Sequence, residues 1–577
     1  SASFTDSQFN LSNTLPVTID QYSQQEIQIN FSPTSLASQS GVLSLDNINS
    51  ASNENTGEFS LEGYGIDLSD GIVLVPSEIP TIQEAIDAAR DGDQILVEEG
   101  VYYENVMIDK GISLVGANRE NTILDAGGVG SALTFANGSG GNASLSGFTL
   151  QNGGGTYVSD WPNGYCGGGL FIASGAKPTI SDIIVQNNYT DGHGSGIYVA
   201  SESGPTGLLL SNSIVRNNGN NGSGHQYGGG LQNNSSQTVL RNVTFYNNHS
   251  LGVGGAVNDG NSMTIMNCLF YNNTSEYEGD ALGMSGTKVF NSTFVNNGSS
   301  EISGNCVINV NSNSLIENSI LWNNHNPEVY VKNNLHVDYS VIEGGESSFT
   351  NPYLGSNFVA NNLQYGDGNL DQDPLLSSEQ EGFVLSENSP GINSGNSSGI
   401  YNDSNGSRND IGYEGGNGIG VSSTAIDFGN AGTGNLKMKK LIFYNARSTS
   451  FNLSTYTTSN NQFYFLQPFL PVVVDPGGNV NIELLFEPNS AGEKNAELAF
   501  SSSNLSNNNG TVAVSGVAYD IPSGDINVPS DIPSIQAALD IAPDGKTIIV
   551  APGEYFEDLY VDPEESRQHR LNTLLRR

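Results

Sequence analysis

Between residues 148 and 324 the chain repeats one short pattern, two apolar positions separated by a single residue and followed by asparagine. It reads FTLQNG (148–153), IIVQNN (183–188), SIVRNN (213–218), VTFYNN (243–248), CLFYNN (268–273), STFVNN (292–297) and SILWNN (319–324). Alternation with period 2 marks a strand with one buried face. The last six segments start 30, 30, 25, 24 and 27 residues apart, which predicts a coil with one rung per repeat. Each strand should pair in parallel with its equivalent about 4.8 Å above and below. Phe148, Ile183, Ser213, Val243, Cys268, Ser292 and Ser319 form one column, and Leu150, Val185, Val215, Phe245, Phe270, Phe294 and Leu321 form another. Both are expected to point inward, with Cys268 a small buried filler beside serines.

Asparagine recurs in two further columns: Asn212, Asn242, Asn267, Asn291 and Asn318 before the strands, and Asn187, Asn217, Asn247, Asn272, Asn296 and Asn323 after them. An amide both donates and accepts and tolerates left-handed backbone, so these positions are expected to chain along the stack as structural ladders.

A much longer period overlies this one. VPSEIPTIQEAIDAA (75–89) returns as VPSDIPSIQAALDIA (528–542), and the QFNLSNTLPVTID stretch from Gln8 returns near Gln462. A unit of this length is a whole-domain repeat, since solenoid repeats are only about 20 to 50 residues long. In the first copy Ile82, Ala85, Ile86 and Ala89 fall on one helical face, and Thr81 with Glu84 forms a capping box, predicting an amphipathic helix that plugs the end of the coil. Residues 421–520 read as short strands between Gly, Asn and Pro turns, a sandwich of about 100 residues. Residues 1–68 match only its later strands.

GGGLFIASGAKPTISDIIVQNN (167–188) closely resembles the repeat form of the right-handed parallel β-helix in the pectate-lyase-like superfamily, and residues 73–416 carry that likeness. GNLDQDPLL (368–376), LSENSPGINSGN (385–396) and RNDIGYE (408–414) resemble the closing segment of bacterial surface proteins of the choice-of-anchor type. The sandwich resembles the immunoglobulin-like modules of the same proteins. The expected fold is therefore all-β: a right-handed parallel β-helix solenoid (73–416, with its N-terminal capping helix) flanked by immunoglobulin-like β-sandwich modules. One of these is partial (1–68) and one complete (421–520), and a second, truncated β-helix start follows (524–577). The chain reads as a slice of a longer array, processed or cut at both ends.

Composition narrows the setting. With 70 glycines and only 14% charged residues, long helices are disfavoured and turns favoured. No apolar run approaches the roughly 18 to 20 residues needed to cross a bilayer, so direct membrane insertion is not expected. A net charge of −41 argues against nucleic acid or anionic membrane as a partner and suits a secreted, extracellular or cell-surface protein. Cys166, Cys268 and Cys306 are odd in number and lack metal spacing, so packing roles are expected.

The superfamily resemblance implies carbohydrate chemistry, yet its residues are sparse here. GVYYENV (100–106) resembles the early GxYxE element of pectin methylesterases, without their catalytic aspartate segments. Polysaccharide lyases use an arginine or lysine base beside carboxylate-held calcium. Arg216 and Arg241 lie on rungs but in different columns, with no stacked carboxylate trio. No catalytic residue is assigned.

Two constellations could bind. The outward position before each Asn pair reads Gln186, Arg216, Tyr246, Tyr271, Val295 and Trp322. Its rings either stack along a sugar chain or pack beneath a loop. The turns after the pairs bring Asp191, His193, His225, Tyr227, Glu276, Glu278 and Asp280 toward one edge, as solvated turn residues or as a ligand site. An ion held there by the carboxylates Asp191, Glu276, Glu278 and Asp280 would be calcium. The expectation is a non-enzymatic module of a large repetitive surface protein, serving adhesion, binding of a polysaccharide or cell-surface glycan, or fibre assembly by head-to-tail self-association. The rival is a carbohydrate-active enzyme, a polysaccharide lyase or glycoside hydrolase on the β-helix.

Overall fold

A computed structural model describes residues 2–559. The exceptions are 13–14, 16–23, 25, 35–37, 47–55, 66–68, 138, 140–142, 160–162, 201–205, 221–225, 300–305, 326–327, 352, 404–405, 417, 423–424, 446, 448, 468–470, 476–477, 503–508, 544 and 558. The central part is a parallel β-helix. A 20-stranded sheet carries two faces of the coil and a 10-stranded sheet the third. On the first face Ser144–Ser146, Thr179–Ser181 and their successors stack in parallel as far as Leu363–Tyr365. The second face runs from Thr122–Asp125 through Thr149–Gln151 to Val341–Ile342. The third runs from Val106–Ile108 to Phe349–Thr350.

The expected register is the observed one. Val215, Phe245, Phe270, Phe294 and Leu321 pair rung to rung and are fully buried. Stacking at one-rung spacing sets Phe245 and Phe270 at 5.1 Å between centroids, and Phe270 and Phe294 at 4.6 Å. In the neighbouring inward column the serines have more than a filling role. Cys268 N donates to Ser292 Oγ, Ser292 N to Ser319 Oγ and Ser319 N to Ser340 Oγ, at 3.1 to 3.2 Å, so small polar groups meet the backbone's hydrogen-bonding needs at this corner.

The continuous asparagine ladder lies one residue beyond the expected column after the strands, in which Asn323 Nδ2 donates to Asn296 Oδ1 at 2.7 Å. Asn187, Asn217, Asn247, Asn272, Asn296 and Asn323 take left-handed backbone angles, with φ between 53° and 56°. The continuous buried ladder is made by the following residues. Asn188, Asn218, Asn248 and Asn273 each donate Nδ2 to the Oδ1 of the next, through Asn297 to Asn324, at 2.9 to 3.2 Å. Each amide also donates to a carbonyl one rung back, as Asn248 does to Val215 O at 2.9 Å. The first residue of each pair turns the corner, and the second points into the coil, where no water competes for its amide.

The earlier Asn column chains as expected between Asn242 Nδ2 and Asn212 Oδ1, at 3.1 Å, and has a different task further along. Asn267 Nδ2 donates to Tyr413 O, Asn291 Nδ2 to Asn409 Oδ1, and Asn318 Oδ1 accepts from Asn396 N. These amides fasten residues 370–415 along the outside of the second face, where Phe383, Ile411, Leu376 and Leu385 cover Leu269, Val295, Ile320 and Val341.

The helix Ile82–Ala88 caps the first rung, with Ile82, Ala85, Ile86 and Ala89 buried as expected. Thr81 accepts from Glu84 N at 3.3 Å. The first-turn amides of Ile82 and Gln83 donate to the carboxylate of Glu104 at 3.0 and 2.9 Å. The same device recurs 453 positions on, where Glu557 accepts from Ile535 N and Gln536 N at 3.0 and 2.8 Å. The GxYxE element is thus a structural fitting: its tyrosine ties Glu98 O and its glutamate caps the helix.

Residues 419–519 form a sandwich of a four-stranded and a five-stranded sheet around Phe443, Phe451, Phe463, Phe486 and Phe500. Ala425–Gly432 joins the larger sheet in parallel with Asn509–Tyr519. The sandwich sits on the first face of the coil, where Tyr444 packs on Met266, Phe290 and Leu315. Gly420 comes so close that a Cβ there would lie 2.5 Å from Met266 Cε. Residues 2–64 repeat the later strands as a three-stranded and a two-stranded sheet. Among the described residues no helix is long and apolar enough to cross a membrane.

Candidate functional site

Outward positions of the second face form a continuous polar ladder. Asp125 Oδ2 accepts from Gln151 Nε2 at 2.9 Å, Gln186 donates to Gln151 at 3.0 Å, and Arg216 Nε donates to Gln186 Oε1 at 2.8 Å. Arg216 Nη1 then donates to the Tyr246 hydroxyl at 2.6 Å. Tyr246 and Tyr271 stack at 4.8 Å, nearly parallel. The aromatic run ends under cover: Phe383 tilts against Tyr271 at 5.3 Å, and Trp322 packs against the cluster of Ile320, Val341 and Ile411 that Leu370, Leu376 and Leu385 also cover. Of the three rings in this stripe, Tyr271 and Trp322 therefore help seat residues 370–415, and Arg216 lies beside Tyr246. Burial, with Tyr246 beside it, pushes the Tyr271 hydroxyl up to about 12, so it stays protonated and can donate.

The turn edge is built otherwise. Between the second and third faces, short parallel strands stack Tyr189, Gly219, His249 and Thr274 in one column. A hairpin, Thr156–Val158 with Gly164–Cys166, leaves the coil just before and rests on the turn at Asp191, whose carboxylate accepts from Tyr165 N at 2.9 Å. Tyr157 and Tyr165 face each other at 5.3 Å. Tyr157 and Tyr165 on the hairpin, and Tyr189 and Tyr277 on turns of different rungs along this edge, are 55, 47, 51 and 49% exposed.

Of the expected ligands on this edge, the structure brings His193 and Tyr227 together and gives the carboxylates separate partners. His193 is buried, accepts from Tyr227 N at Nδ1 (3.1 Å) and lies 4.9 Å from the Tyr227 ring. Burial lowers its pKa to about 4, so it is neutral at physiological pH. His225 lies outside the described residues. Glu276 stands 3.7 Å from His249, whose pKa is lowered by burial against the opposing pull of that carboxylate. Glu278 pairs with Lys332. Asp280 is buried and accepts from Ser275 N and Oγ at 2.8 and 3.1 Å. Among the described residues no group of three or more His, Cys, Asp or Glu is gathered as a metal site. Each carboxylate has a local structural partner instead.

Sequence reading overlooked Tyr157, Tyr165 and Tyr189. For Tyr157 and Tyr165 the signal was present: TYV and YC flank a Pro-Asn-Gly stretch, a hairpin pattern inserted between two rungs, whereas Tyr189 simply follows an Asn pair.

No protein-family model matches the chain, and no curated protein matches it. Solved structures do. A pectin methylesterase from Erwinia chrysanthemi aligns over 48% of this chain and 80% of its own, with 13% identity and a TM-score of 0.23. A family 28 exopolygalacturonase from Yersinia enterocolitica aligns over 55% and 79%, with 11% identity and a TM-score of 0.21. An ASH/PapD-like domain of human CEP192 aligns over 18% of this chain and 87% of its own, with 10% identity and a TM-score of 0.16. At this level of likeness the β-helix assignment rests on the strand register itself.

Proposed function

We propose that this chain is a non-catalytic stretch of a large secreted surface protein of the choice-of-anchor type, in which β-helices alternate with immunoglobulin-like sandwiches and bind glycans for adhesion. The carrying observation is the repeated start: the same capped helix, held by Glu104 and again by Glu557, returns at a whole-domain interval. An array of this kind multiplies weak contacts into avidity. The turn edge is the binding surface, because open tyrosine rings accept the CH faces of sugars and their hydroxyls reach sugar oxygens. Immobilised acidic, neutral and amino polysaccharides should retain the chain, and Tyr165→Ala with Tyr189→Ala should abolish retention while the melting temperature holds. The rival enzyme reading would prevail if polygalacturonate or another polysaccharide were cut, seen as unsaturated products absorbing in the ultraviolet or as new reducing ends.

A further inference from the structure

On the first face of the coil, a cleft of about 470 Å³ opens at the margin of the sandwich. We infer that it is a binding site for an acidic sugar unit, a small ligand with one acidic group and several hydroxyls, whose charge is met by Lys288. The site is separate from the turn edge and independent of the tyrosines there.

Strand register builds the cleft. Lys288, Leu315, His336 and Gln364 occupy one outward column on four successive rungs, spaced about 4.8 Å apart. This gives, in order, a cation, a buried leucine, an imidazole and an amide. Asn313 and Asn361 add amides at the rim, and Ser422 brings the wall of the sandwich. The lining is thus mostly polar but carries a single ammonium, and Leu315 beside it is 3% exposed. Such a surface suits a ligand with several hydroxyls and one acidic group better than a bare inorganic anion, which would leave the amides unused.

Lys288 is the observation that points to an occupant. It has no hydrogen-bond or ion-pair partner among the described residues, although carboxylates greatly outnumber cations in a chain of net charge −41. Burial lowers its pKa, as expected for an ammonium drawn from water without a counter-charge. His336, by contrast, is held in place by Asp338 at 2.7 Å and offers its ring as a fixed wall. The side chains of Gln364, Asn313 and Asn361 likewise have no hydrogen-bond partner among the described residues, so their donors and acceptors are free for a ligand. The chain's negative field opposes any anion at long range. Binding therefore depends on the contact pair, and is best measured near 0.15 M salt, where the screening length is about 8 Å.

The test is isothermal titration of the full chain with N-acetylneuraminate, glucose 6-phosphate, glucose and acetate. At least one acidic sugar should bind, with glucose and acetate weaker by about tenfold or more. The two acidic probes distinguish a carboxylate from a phosphate as the charged group. Lys288→Met should weaken the acidic sugar by about tenfold or more, Lys288→Arg should keep most of the binding, and Gln364→Ala, an exposed change, should weaken it by a few-fold. Tyr165→Ala with Tyr189→Ala should leave it unchanged, which separates this site from the turn edge. The proposal is overturned if neither acidic sugar binds below about 10 mM, if acetate binds as well as the sugars, or if a folded Lys288→Met chain binds like the wild type.

Discussion

Residues 2–64 and residues 456–519 share strands with matching pairings, and Phe9 and Leu43 are buried like Phe463 and Leu498, yet other equivalent apolar positions meet different fates. Leu43 pairs with Phe59 in the first copy as Leu498 pairs with Val512 in the second. Phe59 is 52% exposed, whereas Val512 is 3% exposed. Likewise Ile29 is 37% exposed and its counterpart Leu484 only 1%. The second copy has in addition Ala425–Gly432, paired with Asn509–Tyr519, and Lys437–Asn445, paired with Asn479–Phe486. The latter brings Leu441 and Phe443, both fully buried, into the space between the sheets. Alternation in a strand says that one face wants burial; the cover comes from strands far away in sequence. The caps teach the converse. Glu104 and Glu557 grip the same two amides in both copies, because everything the motif needs lies within about two dozen residues of the helix.

The largest effect should come from breaking the cover. Phe443→Ala should destabilise the complete sandwich by about 3 to 5 kcal/mol, whereas Phe59→Ala should cost less than about 1 kcal/mol. Hydrogen exchange read segment by segment during urea titration would show this, and equal losses in the two copies would break the comparison.

Next comes the seam where the complete sandwich meets the coil, which carries a buried carboxyl. Glu317 is fully buried, accepts from Asn396 Nδ2 at 2.6 Å and lies beside Tyr401, and burial pushes its pKa up to about 7. Because the folded value lies above the ordinary 4.5, this group supports the fold fully below pH 4.5. That support, about 3 kcal/mol, is lost as pH rises through about 7. Glu317→Gln should therefore change little at pH 4.5 and raise the melting temperature at pH 8, flattening the pH profile. An unaltered profile would show that the carboxyl is not the group titrating at this seam.

The smallest effect sharpens the likeness between the caps. Glu104→Gln and Glu557→Gln should each loosen their helix by about 1 to 2 kcal/mol, since each loses a charge-assisted bond to a first-turn amide. Exchange rates of the amides of Ile82, Gln83, Ile535 and Gln536 would report it, and a response in only one copy would show that the two caps are held differently.

Much of the coil was legible because its signals are local and repeated. Phe245, Phe270 and Phe294 could be placed inward from period-2 alternation alone, and a slip of one residue would have turned the whole column outward. The asparagines show the limit. In a pair such as Asn247–Asn248 both residues suit a turn, and the letters do not say which takes the left-handed angle and which sends its amide inside. Tyr271 and Trp322 could be assigned to an outward stripe, but not to the underside of residues 370–415, which return to them from far along the chain. Lys288 had no local signal at all, since its column means something only beside Ser422 of the sandwich.

By itself, then, the sequence determined the rung register, the inward columns, the capped helix and the return of the whole unit, because each depends on backbone periodicity or on hydrogen bonds closed within a short span. Only the tertiary structure decided which outward faces stay open. The aromatic stripe is covered by a segment that asparagines fasten along the second face, while the turn tyrosines and the Lys288 cleft remain accessible. Burial of an outward face depends on the shape of a distant partner, and no alternation along a strand encodes that shape.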